Sequence, residues 1–343
     1  MLDDLQVIHD RDPQDALGIA EKQWQQLQYE YEVEIQPHAD SIKNIVFAGM
    51  GGSALYALVA KVWPGFDRPF EVVRNYDLPA YVGEDSLVFV SSYSGNTEET
   101  ISALHQAEGK GAGIIVITAG GQLADLAREK NYPLLLLPGG LQPRHALWYG
   151  LKAILTATDK LGLTDGKADE LAAQAEFLKD AIQAWLPTVP TDKNAAKQIA
   201  QECIGKSPVI YAGPKLAPAA YKWKISFNEN AKHIAWTNEF PEFNHNEFMG
   251  WTKQPVDKPY TIIDLRSSAE HPRVQKRFEV SARLLSGMRP APIIVTAQGD
   301  PFIQELMFTI ALGDFVTLYT ALLSNVNPTP VELIENLKKS LDE

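Results

Sequence analysis

Ser92, Ser94 and Thr97 stand in the run Ser91-Ser92-Tyr93-Ser94-Gly95-Asn96-Thr97-Glu98-Glu99-Thr100, directly after the apolar segment Leu87-Val88-Phe89-Val90. Hydroxyls at this density, where a strand passes into a helix, suit the binding of an anion. The first N–H groups of a helix lack partners within it and lie at the positive end of its dipole. A phosphate is the natural ligand of such a terminus. Asn96 and Glu99 have the spacing of a capping box, which sets the helix start near residue 96. The same stretch also reads as a capped helix with a polar turn, and one loop does not decide between the two.

Gly49-Met50-Gly51-Gly52-Ser53-Ala54 is a second loop of this kind, between the apolar strand Ile45-Val46-Phe47-Ala48 and a helical pattern from Leu55 to Val62. Its glycines let the backbone turn sharply and approach a ligand closely. Gly49-x-Gly51-x-x-Ala54 also fits the dinucleotide fingerprint, but only Asp77 is placed to serve as the acidic residue expected about 20 positions on. Both loops follow parallel-type strands, so both belong at the carboxyl edge of one sheet, where open α/β sheets bind ligands. Two convergent anion loops suit a compact phosphate better than an extended dinucleotide.

Three residues have the chemistry of acid, base or charge stabiliser. Glu229, in Phe227-Asn228-Glu229-Asn230-Ala231-Lys232, ends a helix that carries Tyr221, Trp223, Ile225 and Phe227. A carboxylate buried among aromatics has a raised pKa suited to a general base. Position alone favours the plainer reading, an exposed glutamate at a helix end. His245 lies in the polar and aromatic loop Pro241-Glu242-Phe243-Asn244-His245-Asn246-Glu247-Phe248. Histidine changes protonation near neutral pH with little tuning, though a loop histidine without a role fits equally. Arg144 follows Leu141-Gln142-Pro143 at a helix start, where the dipole disfavours a cation. Stabilising an oxyanion and forming a surface ion pair are equally open there. Lys338 and Lys339 near the C-terminus read as complements to a helix dipole, and His233, in a strand-like run, reads as structural.

The elements that position these residues alternate along the chain. Residues 3–34 read as helical, with Leu17, Ala20, Trp24, Leu27 and Tyr31 at helical spacing. Strands are expected at 43–48, 69–74, 86–91, 113–118 and 133–137, with helices at 53–62, 96–109, 121–129 and 144–161. A long connecting helix is expected over 165–186. The rhythm then resumes, with strands at 208–213, 233–237, 260–265 and 292–297 and helices at 191–204, 215–230, 270–286, 300–323 and 331–341. This predicts an α/β protein of two doubly wound parallel-sheet domains, helices on both faces, over residues 1–162 and 163–343, the C-terminal helix packing back. The second half has neither loop: Gly213-Pro214-Lys215 follows its first strand. The first domain is therefore expected to hold the anion and the second to supply other groups.

Bulk properties narrow the class. The 343 residues suit two domains. A hydrophobic share of 45% with 22% charged residues is that of a globular protein. The net charge of −12 argues against nucleic acid as the main partner. The acidic start Met1-Leu-Asp-Asp is not a signal-peptide n-region, and apolar runs such as Tyr132–Pro138 are too short to span a bilayer. The single cysteine, Cys203, fits a reducing cytoplasm, and the seven histidines have no metal-ligand spacing. No cofactor, metal, membrane or nucleic-acid partner is expected.

Phe47-Ala-Gly-Met-Gly-Gly-Ser-Ala54 and Ser92-Tyr-Ser-Gly-Asn-Thr97 resemble the sugar isomerase (SIS) domain family, and within it the bifunctional phosphoglucose/phosphomannose isomerases. The resemblance runs over nearly the whole chain and implies two SIS, flavodoxin-like domains. It implies an aldose–ketose isomerase that interconverts fructose 6-phosphate with glucose 6-phosphate and mannose 6-phosphate through a cis-enediol. By the same resemblance Gly52, Ser53, Ser92, Ser94 and Thr97 hold the 6-phosphate. Glu229 moves the proton between C2 and C1, His245 opens the sugar ring from the neighbouring subunit of a homodimer, and Arg144 holds the oxyanion. Lys338, or else Lys339, reaches the ring oxygen, and Thr329 bears on stereospecificity. The main alternative is a phosphosugar-binding SIS sensor; such regulators usually carry a DNA-binding domain, for which this chain has no spare segment. An amidotransferase-type isomerase half would need a glutaminase domain with an N-terminal cysteine. A nicotinamide dehydrogenase would rest on the glycine fingerprint alone.

Overall fold

Ile45-Val46-Phe47-Ala48 and Leu87-Val88-Phe89-Val90 carry no polar side chain, so as strands they must be covered on both faces. In the computed structural model, which describes residues 1–36, 38–253 and 259–341, both are buried strands. The chain divides into two compact units, Lys22–Glu176 and Met1–Glu21 with Phe177–Glu343.

The first unit is built on β1 (Asn44–Gly49), β2 (Phe70–Val73), β3 (Ser86–Ser91), β4 (Gly113–Thr118) and β5 (Leu134–Leu136). They form one parallel sheet in the order β2-β1-β3-β4-β5. Ile45 is in register with Leu87, and Gly49 with Ser91, so the two strands end side by side. Val46, Val88 and Val116 share a core with Ala103, Leu104 and Leu123 of the flanking helices. This strand order reverses direction between β1 and β3, which is the switch point where sheets of this type bind ligands.

The second unit is built on β6 (Ser207–Ala212), β7 (Trp236–Glu239), β8 (Tyr260–Arg266) and β9 (Ile293–Thr296), parallel in the order β7-β6-β8-β9. The helix Phe302–Leu323, unlike the shorter apolar runs, is long and apolar enough to cross a membrane. It is a core helix here, buried along nearly its whole length. The indole of Trp223 donates to the carbonyl of Thr309, and Gly313 leaves room for that ring: a Cβ there would stand 2.2 Å from it.

Four expectations are corrected. The 3–34 stretch is not one helical run. Helices Leu5–Arg11 and Ala16–Glu21 are separated at Asp12, whose carboxylate accepts the N–H groups of Ala16 and Leu17, and the chain is extended from Tyr29. The 165–186 stretch is broken into helices Lys167–Ala172 and Ala175–Ile182 and a final 3-10 turn, Gln183–Trp185. The strand placed at 233–237 runs from Trp236 to Glu239, leaving His233 outside it. The helix after β3 starts at Glu98, with Thr97 as its N-cap and no capping box. The Asn96 carboxamide instead accepts the N–H of Gln122 at 3.0 Å, in the next helix.

Candidate active site

In the first unit the hydroxyl-rich loop folds onto itself. The Ser92 hydroxyl lies 2.7 Å from that of Thr97 and 3.3 Å from that of Ser94, and accepts the N–H of Gly95 at 3.1 Å. Three hydroxyls therefore converge at the start of the helix Glu98–Gly109, Ser92 buried, Thr97 half-buried and Ser94 exposed. Gly95 has φ +74°, and a Cβ there would meet the Gly120 carbonyl oxygen at 1.7 Å, so only glycine lets these two loops touch.

The glycine loop after β1 enters the helix Gly52–Val62 through Gly51 at φ +50°. Gly52 is pressed against the backbone of Pro143 and Arg144, which a Cβ would approach to 2.7 Å. The Ser53 hydroxyl is nearly buried and accepts the N–H of Tyr93 at 2.9 Å, which joins the glycine loop to the hydroxyl loop. Beneath them Tyr56, fully buried, bonds the Ser91 hydroxyl, which donates to the Ile117 carbonyl at 3.0 Å. Burial pushes the Tyr56 phenol up to about 12, so it stays protonated.

Tyr93, to which sequence reasoning gave no role, ties the hydroxyl loop to the chain before Arg144. Its hydroxyl donates to the Pro138 carbonyl at 2.7 Å and accepts the Leu141 N–H at 3.0 Å. Arg144 itself is buried, in the 3-10 turn Pro143–His145 ahead of the helix Leu147–Leu161, with the Gln142 carboxamide oxygen 3.4 Å from its guanidinium. Gly52, Ser53, Ser92, Ser94, Thr97 and Arg144 are thus brought together within this unit. The one sequence signal for Tyr93 was an aromatic set among the serines of the loop.

The second unit carries Glu229, His245, Thr329 and Lys338. Glu229 is half-buried and is the last residue of the helix Ala217–Glu229. His245 is exposed and ends the 3-10 turn Glu242–His245, after β7, in which Phe243 is buried. On either side of it, Asn244 is held by Arg277 and Ser281, and Glu247 by Tyr211 and Asn238. Thr329 donates its N–H to the Asn327 carboxamide at 3.0 Å. Lys338 is exposed on the helix Glu332–Leu341; the side chain of Lys339 lies outside the described residues. His233 bonds the Ser324 hydroxyl at 3.1 Å, and burial lowers its pKa, in keeping with a structural place.

The second sheet has its own switch point between β6 and β8, and carboxylates of the chain fill it. Glu270 accepts the N–H of Lys215 at 2.7 Å, and a Cβ on Gly213 would come within 2.4 Å of its carboxyl. Glu305, buried, accepts the hydroxyls of Ser267 and Ser268 and the N–H of Ser268. Burial raises the pKa of Glu270.

The SIS domain family matches residues 40–164, and the bacterial phospho-glucose isomerase C-terminal SIS domain family matches residues 192–341. A bifunctional phosphoglucose/phosphomannose isomerase of Caldicellulosiruptor bescii is 36% identical over 329 residues, 93% of this chain and 96% of that one. The Aquifex aeolicus protein of the same name is 34% identical over 317 residues, covering 92% and 95%. The crystal structure of a glucose-6-phosphate isomerase like protein from Thermus thermophilus superposes with a TM-score of 0.69 at 18% identity, over 98% of both chains, a likeness of fold. With two anion-type loops at the switch point of one parallel sheet and relatives above 30% identity along nearly its whole length, the chain belongs to the bifunctional phosphoglucose/phosphomannose isomerase family.

Proposed function

We propose that this chain is a sugar-phosphate isomerase that interconverts fructose 6-phosphate with glucose 6-phosphate and mannose 6-phosphate. The observation that carries the reading is the cluster of Ser92, Ser94 and Thr97 hydroxyls at a helix start, hydrogen-bonded through Tyr93 to Ser53 of the glycine loop. In this reading Gly52, Ser53, Ser92, Ser94 and Thr97 hold the 6-phosphate. Binding so far from the reacting carbons fixes the sugar and lowers the entropic part of the barrier.

His245, with Lys338 at the ring oxygen, moves the proton that opens the ring. Glu229 takes the proton from the carbon next to the carbonyl, leaving a cis-enediol, and returns it to the neighbouring carbon. Arg144 holds the developing oxyanion, and Thr329 bears on which face of C2 is used. In the same reading the protein is a homodimer and His245 serves the site of the other subunit.

The test is fructose 6-phosphate turnover by the purified protein, with glucose 6-phosphate and mannose 6-phosphate read in parallel, for wild type and Glu229→Gln. Formation of both products, nearly lost in a Glu229→Gln variant that still binds substrate, is expected. Saturable phosphosugar binding without turnover would instead make the chain a sensor.

A further inference from the structure

Resting on Glu229 as the base, we infer that Lys232 is the residue that positions it, by tying the end of its helix to the turn that carries Thr329. The helix Ala217–Glu229 ends against Asn230, whose N–H reaches the Ser226 carbonyl at 2.8 Å. Three residues beyond Glu229, Lys232 has φ +56°, in the left-handed region that favours glycine. That turn folds its side chain back over the helix end. The ammonium donates to the Glu229 carbonyl at 2.8 Å and the Asn327 carbonyl at 2.9 Å, with the Asn230 and Pro328 carbonyls each at 3.4 Å.

One cation thus gathers carbonyls from two segments about a hundred residues apart in sequence. The helix end it meets is the negative pole of the dipole, and hydrogen bonds from an ammonium are the stronger kind. Both sides of the knot are braced independently. Asn228 donates to the His233 carbonyl at 2.7 Å, closing the corner of the chain. Asn327 spends its carboxamide oxygen on Thr329 N–H and its NH2 on Gln14.

Holding the Glu229 carbonyl fixes the peptide from which its side chain leaves. Proton transfer responds steeply to such placement, with roughly 100-fold loss of rate for displacements near 1 Å. Because the same ammonium holds the 327–328 carbonyls, it also fixes Thr329 relative to Glu229. A lysine at a backbone position that favours glycine is accounted for by this side-chain task.

The experiment compares Lys232→Met, Lys232→Gly and Lys232→Arg with wild type and Glu229→Gln. It measures kcat, KM, the melting temperature and the isotope effect with fructose 6-phosphate deuterated at the carbon that loses its proton. Met and Gly are expected to lower kcat by roughly 10- to 100-fold with KM within about twofold, and to raise the isotope effect as proton removal becomes limiting. Arg is expected to restore most of kcat. Gly, relieved at its left-handed φ, is expected to melt no lower than Met while being equally slow. Wild-type kcat in Met and Gly, or a lower kcat with an unchanged isotope effect, would overturn the role of Lys232 while leaving Glu229 as the base if Glu229→Gln is inactive. Full turnover in Glu229→Gln would overturn the base assignment, and the Lys232 inference with it.

Discussion

The Oγ of Ser53 accepts the backbone N–H of Tyr93 at 2.9 Å, so two loops some 40 residues apart share one buried hydroxyl. The bond sets the spacing of the glycine loop and the hydroxyl cluster. Ser53→Ala would leave the Tyr93 N–H buried without that acceptor, at about 1–3 kcal/mol. The expected outcome is a rise of roughly tenfold in KM for fructose 6-phosphate and weaker competitive inhibition by inorganic phosphate, with kcat less changed. Initial-rate kinetics decide it: an unchanged KM means the hydroxyl does not set the phosphate site.

Lys222 and Asp314 form a buried ion pair between the helices Ala217–Glu229 and Phe302–Leu323, with the Ser226 hydroxyl 2.8 Å from the ammonium. Asp314→Ala strands the ammonium in the interior, and a loss of about 3–5 kcal/mol is expected. Replacing both partners, as Lys222→Met with Asp314→Leu, should be far milder because no lone charge remains. Urea denaturation midpoints of the three proteins check this; equal losses in the single and double variants would contradict it.

Glu270 gives stability a pH dependence whose sign follows from its burial. Its pKa is raised in the folded chain above the ordinary 4.5, so as pH falls the folded state takes up this proton before the unfolded state does. The cost of burying its charge is full above the raised pKa and is relieved as pH drops toward 4.5. Relative to Glu270→Gln, which cannot titrate, the wild type should gain stability on moving from pH 7.5 to about 5. Denaturant midpoints of both proteins across that range test it, and a difference that is flat or opposite in slope refutes it.

The first unit was readable because its signals are local. An apolar strand, a glycine or hydroxyl loop and a helix follow one another within about 20 residues, and the β1 and β3 loops therefore landed on the expected edge. The misread segments are those where one side chain overrides periodicity. Asp12 starts a new helix at Ala16, and Asn96 caps the helix after β4 in place of its own, because Gly95 and Gly120 bring the two loops into contact.

Of the candidate site residues, the hydroxyl and glycine loops and Glu229, His245 and Arg144 stood out by residue type and position, whereas their roles, and Thr329 and Lys338 altogether, came through family resemblance. Tyr93 and Lys232 escaped notice because their partners are distant in sequence: Pro138 and Leu141 for one, Asn327 for the other. A lysine just past a helix end looks like any solvated charge until the second segment it holds is known.

Glu270 and Glu305 place carboxyl groups of the chain itself at the switch point of the second sheet. A tethered carboxyl group cannot be diluted away. If the first-unit loops hold the phosphate as proposed, inorganic phosphate is expected to bind at one equivalent per chain and to stabilise the protein in proportion to the logarithm of its free concentration. In the proposed reading the two halves share an architecture, but one is built as a receptor and the other closes its switch point with its own carboxyl groups.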